Sequence, residues 1–399
     1  MAKVKGAREA EAALTALVKA YPNSPEPRIS LGKLYRWMAL RDAPSVVDRS
    51  RLRSAREELL CAISLEDPPK MTTLEFLWHV TNDLAMHKEQ AVFFTHLGRQ
   101  DGRPQVRFQA LCWSAIALEC RGCELWAHKK EKDAVHLFDQ GVKLHREALA
   151  VWPDAPIRDR LKSYHGGSHI QMAYSHLGKH KQWTEEVEHL LALDEGKRLP
   201  AGTRADYLVY ASDMASNGKL FEEAIRLGEK ALEELQVAEA EGIDRLRRIS
   251  VLGALLRGYH GKGDFKRKEE VGRRIQNLLS DWEKRVSEEP QDICSCYNVA
   301  SRNFVVAEDW QRAIETCKRT VELWDFGPNH WFLAVALWAG RKDRIGALNA
   351  LCNAARDARM SGIGMCRNLR EDFLKSSVFA DVRDDPAFLQ AIEVEGIIE

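Results

Sequence analysis

Residues 31–62, LGKLYRWMALRDAPSVVDRSRLRSAREELLCA, contain the pattern on which the fold prediction rests. The first part, Leu31-Gly32-Lys33-Leu34-Tyr35, places a glycine among large apolar residues, where a neighbouring helix can approach closely. The last part carries Ala55, Leu59 and Ala62 on one helical face, and Asp67-Pro68 then marks the end of that helix. The stretch therefore predicts two helices that pack against each other, separated by an insertion around residues 42–53.

Helical pairs of the same kind are predicted along the rest of the chain. Nearly every window has apolar residues three and four positions apart, and almost none alternates with a period of two. Five further segments combine small, charged and apolar residues in the way that favours a tight turn between two helices. They are Gly178-Lys179, Asn217-Gly218-Lys219-Leu220-Phe221, Lys262-Gly263-Asp264-Phe265, Glu308-Asp309-Trp310 and Ala339-Gly340-Arg341. The sequence therefore predicts an all-α protein built from helical hairpins.

These motifs resemble the tetratricopeptide repeat (TPR) family. Two more segments have the spacing of its second helix with proline in register: Ala10, Leu14, Leu17 and Pro22, and Gly141, His145, Ala148 and Pro153. The first has no partner helix before it, so the chain is expected to begin inside a repeat. The resemblance implies a right-handed superhelical solenoid. In the middle of the chain the turns lie farther apart than the usual repeat of about 34 residues, which predicts long helices or extended loops there.

The C-terminal stretch Phe379-Ala380-Asp381-Val382-Arg383-Asp384-Asp385-Pro386-Ala387-Phe388 resembles the closing motif of bacterial TPR arrays. Such arrays often follow serine/threonine kinase domains, so one alternative is the non-catalytic C-terminal region of a bacterial signalling protein. The Gly-rich loop, His-Arg-Asp and Asp-Phe-Gly motifs of a kinase are absent from the sequence. We predict four segments: TPR-like helices over 1–70, a divergent helical segment over 71–130, a TPR-like array over 131–345 and capping helices over 346–399.

Composition is that of a folded protein without a strong overall charge. Of the 399 residues, 45% are hydrophobic and 30% charged, and the 59 basic side chains equal the 59 acidic ones. The N-terminal residues lack the apolar block of a signal peptide, and no stretch has the roughly 18 consecutive apolar residues of a membrane helix. The nine cysteines lack the regular spacing of a disulfide framework. We therefore expect a cytoplasmic protein with reduced thiols and no membrane partner.

The predicted function is that of a protein-interaction scaffold. Stacked hairpins leave one concave surface, and in the resembled family the first helix of each pair lines it and binds a peptide or protein segment. The candidate partner-binding residues are Lys33, Arg36, His169, His176, Asn298 and Arg302. No nucleotide-binding loop, nucleophile elbow or metalloprotease helix occurs, so we expect no enzymatic activity, cofactor or metal.

Two other functional interpretations remain open. His165, His169, His176 and His180 would lie within about 60° of one another on a continuous helix, which suggests a metal-dependent or metal-sensing module, although Gly166-Gly167 weakens that helix. Cys120 and Cys123 have a dithiol spacing, but the apolar helical pattern around them favours core packing. Basic residues outnumber acids between Arg245 and Arg274, which suggests a nucleic-acid adaptor. Nucleic acid is the less favoured partner because few aromatic residues lie there.

Overall fold

The computed structural model describes residues 2–41, 48–162, 169–194, 199–238, 245–285, 290–361 and 369–393. Every regular element within those ranges is helical, which confirms the all-α prediction. They comprise twenty α-helices, α1 to α20, and one 3-10 turn at Ala380–Val382. By contacts the chain divides into two compact units, Met1–Leu177 and Gly178–Glu399, each with its own internal packing. The four segment boundaries predicted from the sequence stay predictions.

Unit 1 contains the first nine helices. Their bounds are α1 Ala2–Ala20, α2 Pro25–Arg41, α3 Arg49–Leu65, α4 Met71–Asp83, α5 His87–Gln100, α6 Pro104–Ala127, α7 Glu131–Val151, α8 Ile157–Lys162 and α9 His169–His176. Helices α2 and α3, α4 and α5, and α6 and α7 pack as successive hairpins.

Unit 2 contains the other eleven helices. Their bounds are α10 His180–Ala192, α11 Ala201–Asn217, α12 Phe221–Ala238, α13 Arg245–Lys262, α14 Phe265–Arg285, α15 Pro290–Val306, α16 Trp310–Leu323, α17 Gly327–Arg341, α18 Arg344–Ser361, α19 Leu369–Lys375 and α20 Pro386–Ala391. The pairs α11–α12, α13–α14, α15–α16 and α17–α18 form hairpins.

The hairpin of α2 and α3 has the close contact that its sequence predicts. A Cβ at Gly32 would lie 3.0 Å from Leu59 Cγ and 3.2 Å from the carbonyl oxygen of Ala55. A side chain at this position would therefore force Leu59 or the α3 backbone to shift by a few tenths of an ångström. Ala55, Leu59 and Ala62 are fully buried, so the apolar face of α3 predicted from its spacing is confirmed.

Seven connections between consecutive helices share one backbone conformation. Each contains a single residue in the left-handed region, with φ between 51° and 78°: Ala85, Lys129, Gly178, Lys219, Gly263, Glu308 and Lys342. At Glu308 the amide donates to the Val305 carbonyl at 3.1 Å, and the next amide, of Asp309, donates to the Phe304 carbonyl at 2.9 Å. Such bonds satisfy carbonyl groups that the end of the helix leaves unpaired.

The spacing of these turns confirms the long repeat predicted for the middle of the chain. The left-handed residues follow one another at intervals of 41 to 49 residues, except the last two, which are 34 apart. Long helices contribute to this extra length: α11 has 17 residues, α13 has 18 and α14 has 21.

The turns at Ala85 and Lys129 were not predicted from the sequence. Alanine and lysine rarely adopt a left-handed conformation, so these residues give no turn signal. The segment 71–130 nevertheless forms helical hairpins like its neighbours. One predicted turn is misplaced: Gly340 lies inside α17, and the left-handed residue is Lys342. Phe265, which follows the turn at Gly263, is 67% exposed.

Replacing Glu308 by glycine is expected to stabilise unit 2. A non-glycine residue in the left-handed region costs on the order of 1 kcal/mol, and glycine removes that cost. The free energy of unfolding in urea should rise by about 1 kcal/mol for Glu308→Gly and fall by a similar amount for Gly263→Ala, at the equivalent turn. Equal stability of all three proteins would show that the turn conformation carries no strain.

The helices of unit 2 pack in two layers. The first helices of its hairpins, α11, α13, α15 and α17, pack side by side, and we call them the A-layer. The second helices α12, α14 and α16 each lie against the A-layer helices before and after them. Large apolar side chains such as Leu252, Phe304 and Leu351 are buried in the core of this unit. This arrangement agrees with a helical repeat, and the superhelical solenoid stays a prediction.

The C-terminal motif covers one end of that core. Phe379 and Phe388 are completely buried, where they pack with Phe373, and the Trp338 ring lies 5.2 Å from the ring of Phe388. The Trp338 indole N–H donates to Asp381 at 3.0 Å. Trp324, by contrast, is 48% exposed and stacks on Phe326.

None of the helices in the ranges given above has both the length and the hydropathy needed to span a membrane.

Candidate functional site

The A-layer of unit 2 has one face that the second helices leave uncovered. On α11 the residues that are not buried recur as Asp206, Tyr210 and Asp213, three and four positions apart and therefore along one strip of the helix. The buried residues of the same helix, among them Leu208 and Ser212, face the rest of the unit. We call the uncovered strip formed by α11, α13, α15 and α17 the A-layer face.

Ion pairs join α11 to α13 across the A-layer face. The Arg247 Nε donates to both carboxylate oxygens of Asp206, at 3.1 and 3.0 Å, and Arg257 pairs with Asp213. Tyr210 lies between the two acids in sequence. The pKa of its hydroxyl is raised, mainly by burial and to a smaller extent by the negative charge of Asp206. Arg247 and Arg257 are therefore both compensated by carboxylates of the neighbouring helix.

The other half of the A-layer face, formed by α15 and α17, carries polar and charged side chains. The Asn298 side-chain amide on α15 donates to Asn329 Oδ1 on α17 at 2.5 Å, and the Asn329 amide donates to the carbonyl of Trp324 at 3.0 Å. One turn beyond Asn298, the Arg302 guanidinium carbon lies 5.4 Å from the centre of the Phe332 ring. Arg302 is exposed, and within the described ranges no carboxylate lies within ion-pairing distance of it.

No protein-family model matches the chain, and no curated protein matches it in sequence. The function must therefore be argued from the A-layer face and its surroundings.

The predicted residues Lys33 and Arg36 belong to unit 1. Both project from α2 towards α4, the first helix of the next hairpin. Lys33 Nζ lies 4.3 Å from the centre of the Phe76 ring, and the Arg36 Nε donates to Asp83 at 2.6 Å. The charge of Arg36 is therefore already compensated. Their role in binding a partner stays a prediction.

The four histidines do not share one helix, so the prediction of a single histidine face is wrong. Gly178, at φ 66°, separates α9, which ends at His176, from α10, which begins at His180. His165 and the side chain of His169 lie outside the described residues. His176 stacks on Phe138 with ring centres 5.0 Å apart and lies 4.2 Å from Trp126. Burial lowers the pKa of His176, so its ring is neutral near physiological pH.

His180 also has a packing role. Its Nδ1 lies 3.1 Å from the Met214 sulfur, and a Cβ at Gly218 would meet its ring at 2.9 Å. Burial lowers its pKa as well. Across the described ranges no three histidine, cysteine or acidic side chains come together as a metal site would require. Of the four histidines, the two whose side chains the structure describes, His176 and His180, are thus engaged in helix packing.

The basic stretch from Arg245 to Arg274 is divided between α13 and α14, with the turn at Gly263 between them. Several of its charges have acidic partners on neighbouring helices or in the turn. These are Arg247 with Asp206, Arg257 with Asp213, Lys262 with Glu222, Arg267 with Asp264 and Arg273 with Glu269. Three of these partners, Asp206, Asp213 and Glu222, lie outside the stretch and offset part of its positive charge.

The paired cysteines are not activated. Burial raises the pKa of Cys120 to about 12 and that of Cys123 to about 11, and Glu119 adds to both shifts. Cys294 and Cys296 are buried, and no disulfide links the cysteines that the structure describes. Cys120 and Cys123, predicted to pack in the core, are only partly buried, and Cys61 and Cys352 are exposed.

The sequence did not predict that the A-layer face includes Asp206, Asp213, Arg247, Arg257 and Phe332. A usable signal existed, since residues that meet across this face are one repeat apart. Asp206 and Arg247 are separated by 41 positions, and Asp213 and Arg257 by 44. The repeat length could not be assigned beforehand because it varies along the chain.

Proposed function

We propose that the chain is a TPR-type interaction protein that binds an extended protein or peptide segment on the A-layer face, with an anionic group of the partner at Arg302. The proposal rests on one observation: Arg302 is exposed and has no carboxylate partner among the residues that the structure describes, whereas Arg247 and Arg257 on the same face are paired. The TPR assignment is supported by the packing of each first helix on the next and by the repeated left-handed turns.

The surroundings of Arg302 favour a peptide over other ligands. Phe332 holds the guanidinium by its ring and offers apolar surface, while Asn298 supplies amide groups that can bond to a peptide backbone. An open row of helices suits an extended chain, because each helix can contact successive residues of it. A nucleic-acid partner has less support, since much of the basic stretch is neutralised.

Reversing the charge at Arg302 is expected to weaken peptide recognition. Peptides selected from a random display library on the intact chain should be enriched in Asp and Glu or should end in a free carboxylate at a fixed position. For such a peptide, Arg302→Glu should weaken the Kd measured by calorimetry by at least roughly tenfold, because an attractive charge contact becomes repulsive.

A matched control is Lys318→Glu, which makes the same charge change at an exposed position of α16, outside the A-layer. Its affinity should equal that of the native chain. Equal loss of binding in both variants would indicate a general electrostatic effect, and full affinity of Arg302→Glu would refute the proposed site.

A further inference from the structure

The segment that joins α16 to α17 carries an exposed aromatic pair beside the polar half of the A-layer face. Trp324 is 48% exposed and stacks on Phe326, with ring centres 4.8 Å apart and an interplanar angle of 6°. The Trp324 carbonyl accepts the side-chain amide of Asn329 at 3.0 Å, and Asn329 in turn accepts from Asn298. These hydrogen bonds connect the pair to α15, one turn from Arg302. We call the stacked rings of Trp324 and Phe326 the aromatic platform.

The backbone conformation of this segment indicates which way the aromatic platform points. Trp324 and Phe326 are both extended, with φ of −150° and −136°. In an extended chain successive side chains alternate between two sides, so Asp325 points opposite to its two neighbours. The Asp325 carboxylate lies 3.8 Å from Arg356 of α18, the second helix of the last hairpin. The platform therefore faces away from α18, towards the side on which the A-layer is uncovered.

Side-chain hydrogen bonds hold the aromatic platform in place before a partner binds. His330 donates from Nε2 to Asp325 at 2.6 Å, and the amide of Gly327 donates to Asp357 of α18 at 2.7 Å. Together with the bond from Asn329 to the Trp324 carbonyl, these contacts fix the segment to both helices of the last hairpin. A surface that is already ordered loses less conformational entropy on binding. Tryptophan is also enriched among the residues that contribute most to binding at protein interfaces.

The position of the platform relative to Arg302 suits one extended segment that contacts both. Asn298 and Arg302 are one helical turn apart, about 6 Å along α15. Asn298 is itself linked to the Trp324 carbonyl through Asn329. An extended peptide advances roughly 3.3 Å per residue, so a segment with its anionic group at Arg302 reaches the platform about two to four residues away.

The chemistry of the platform favours an apolar residue of that segment. An aromatic surface can bind either a bulky apolar side chain or a cation. Asp325, the acid within the segment, already accepts from His330 and lies 3.8 Å from Arg356, so it adds little attraction for a cation. A bulky apolar side chain covers the exposed part of Trp324 and needs no counter-charge.

We propose that the aromatic platform sets the specificity of the A-layer face: the segment whose anionic group binds Arg302 also places a bulky apolar side chain on Trp324, about two to four residues away. This inference rests on the proposed function, because it requires the anionic group at Arg302. It narrows the partner from any acidic segment to one that combines an acid and an apolar residue at a fixed spacing.

The test uses peptides selected on the intact chain from a random display library and aligned on their acidic position. Leu, Ile, Phe or Trp should be enriched roughly two to four positions from that acid, on one side of it. For one such peptide, Trp324→Ala should weaken the Kd measured by calorimetry at least roughly tenfold. Trp324→Phe should keep most of the affinity, because it retains an aromatic ring.

A change in the peptide gives the same test without altering the protein. Replacing its apolar residue by alanine should weaken binding to the native chain about as much as Trp324→Ala does, and the two changes together should have no further effect. The matched control is Trp37→Ala, which removes a tryptophan of similar exposure, 46%, from α2 of unit 1. It should leave the Kd unchanged.

The outcomes separate this inference from the proposed function. If Trp324→Ala and the native chain bind equally a peptide that Arg302→Glu binds poorly, the inference is overturned and the proposed function stands. If no peptide is recovered, or if Arg302→Glu keeps full affinity, the proposed function is refuted and the inference with it. Enrichment of Lys or Arg in place of apolar residues would assign the platform to a cation and would also overturn the inference.

Discussion

Arg204→Met is expected to destabilise unit 2 by about 3–5 kcal/mol, the largest effect of any single substitution considered for this protein. Arg204 on α11 is almost completely buried. It donates to Asp194 at 2.9 Å, to Glu234 of α12 at 3.0 Å and to the carbonyl of Leu191. The Asp194 side chain is 1% exposed. Removing the guanidinium leaves two carboxylates in the interior without their shared cation, which is far more costly than losing the pair interaction itself.

The measurement is urea unfolding, with hydrogen exchange of α10 to α12 to locate the loss, because a chain of two compact units need not unfold in one step. The matched control is Arg226→Met. Arg226 also pairs with two glutamates, Glu188 and Glu223, but its side chain is 47% exposed, so its removal should cost no more than about 1 kcal/mol. Equal losses in the two variants would show that burial of the Arg204 network is energetically unimportant.

Glu119→Met is expected to stabilise unit 1. Glu119 on α6 is completely buried against α7, where a Cβ at Gly141 would lie 2.9 Å from its Cγ. Neither of its carboxylate oxygens has a hydrogen-bond partner among the described residues. Burying a polar group without a partner costs on the order of 1–3 kcal/mol, and methionine has a similar length without that cost. The free energy of unfolding should rise by about that amount near pH 5 and by more at higher pH.

The pH dependence follows from the protonation of Glu119. Burial raises its pKa well above the ordinary value of 4.5, so the folded chain holds a proton that the unfolded chain releases. Stability is therefore highest below the unfolded pKa and falls as the pH rises towards the folded pKa. Glu119→Gln should remove this decline, which has a limiting slope of about 1.4 kcal/mol per pH unit.

The control is Glu57→Gln, at an exposed position of α3, which should leave the pH profile unchanged. The profile is measured by denaturant unfolding from about pH 4 to about pH 8. A native chain whose stability does not decrease over this range, or a Glu119→Gln variant that declines in parallel with it, would contradict a protonated interior carboxyl.

Local features of the fold were predictable where a single residue type decides the geometry. Glycine at position 263 supplies a left-handed residue at no steric cost, and the turn occurs where the sequence places it. Glu308-Asp309-Trp310 was recognised from its neighbours, although Glu308 itself is a poor left-handed residue. Ala85 and Lys129 adopt the same conformation because the packed helices on either side require it. Residue propensities alone do not predict such turns.

The candidate site was only partly predictable, for a related reason. Asn298 and Arg302 were selected because they lie four positions apart, and they do belong to one strip of α15. Their partners Asn329 and Phe332 lie on α17, about one repeat later. Which residue of the next repeat faces them depends on how α17 is rotated about its axis, and side-chain packing between the layers determines that rotation.

The sequence by itself determined the helical class, the hairpin as the repeating unit, the close approach at Gly32 and the buried stripe of Ala55, Leu59 and Ala62. These follow from interactions within a helix or between adjacent helices, whose spacing can be read along the chain. Only the tertiary structure decided that Arg204 is buried between two acids, that Glu119 has no hydrogen-bond partner among the described residues and that α5 and α7 leave a groove over α6. Each of these depends on residues from separate helices meeting, and the varying repeat length prevents their alignment from the sequence.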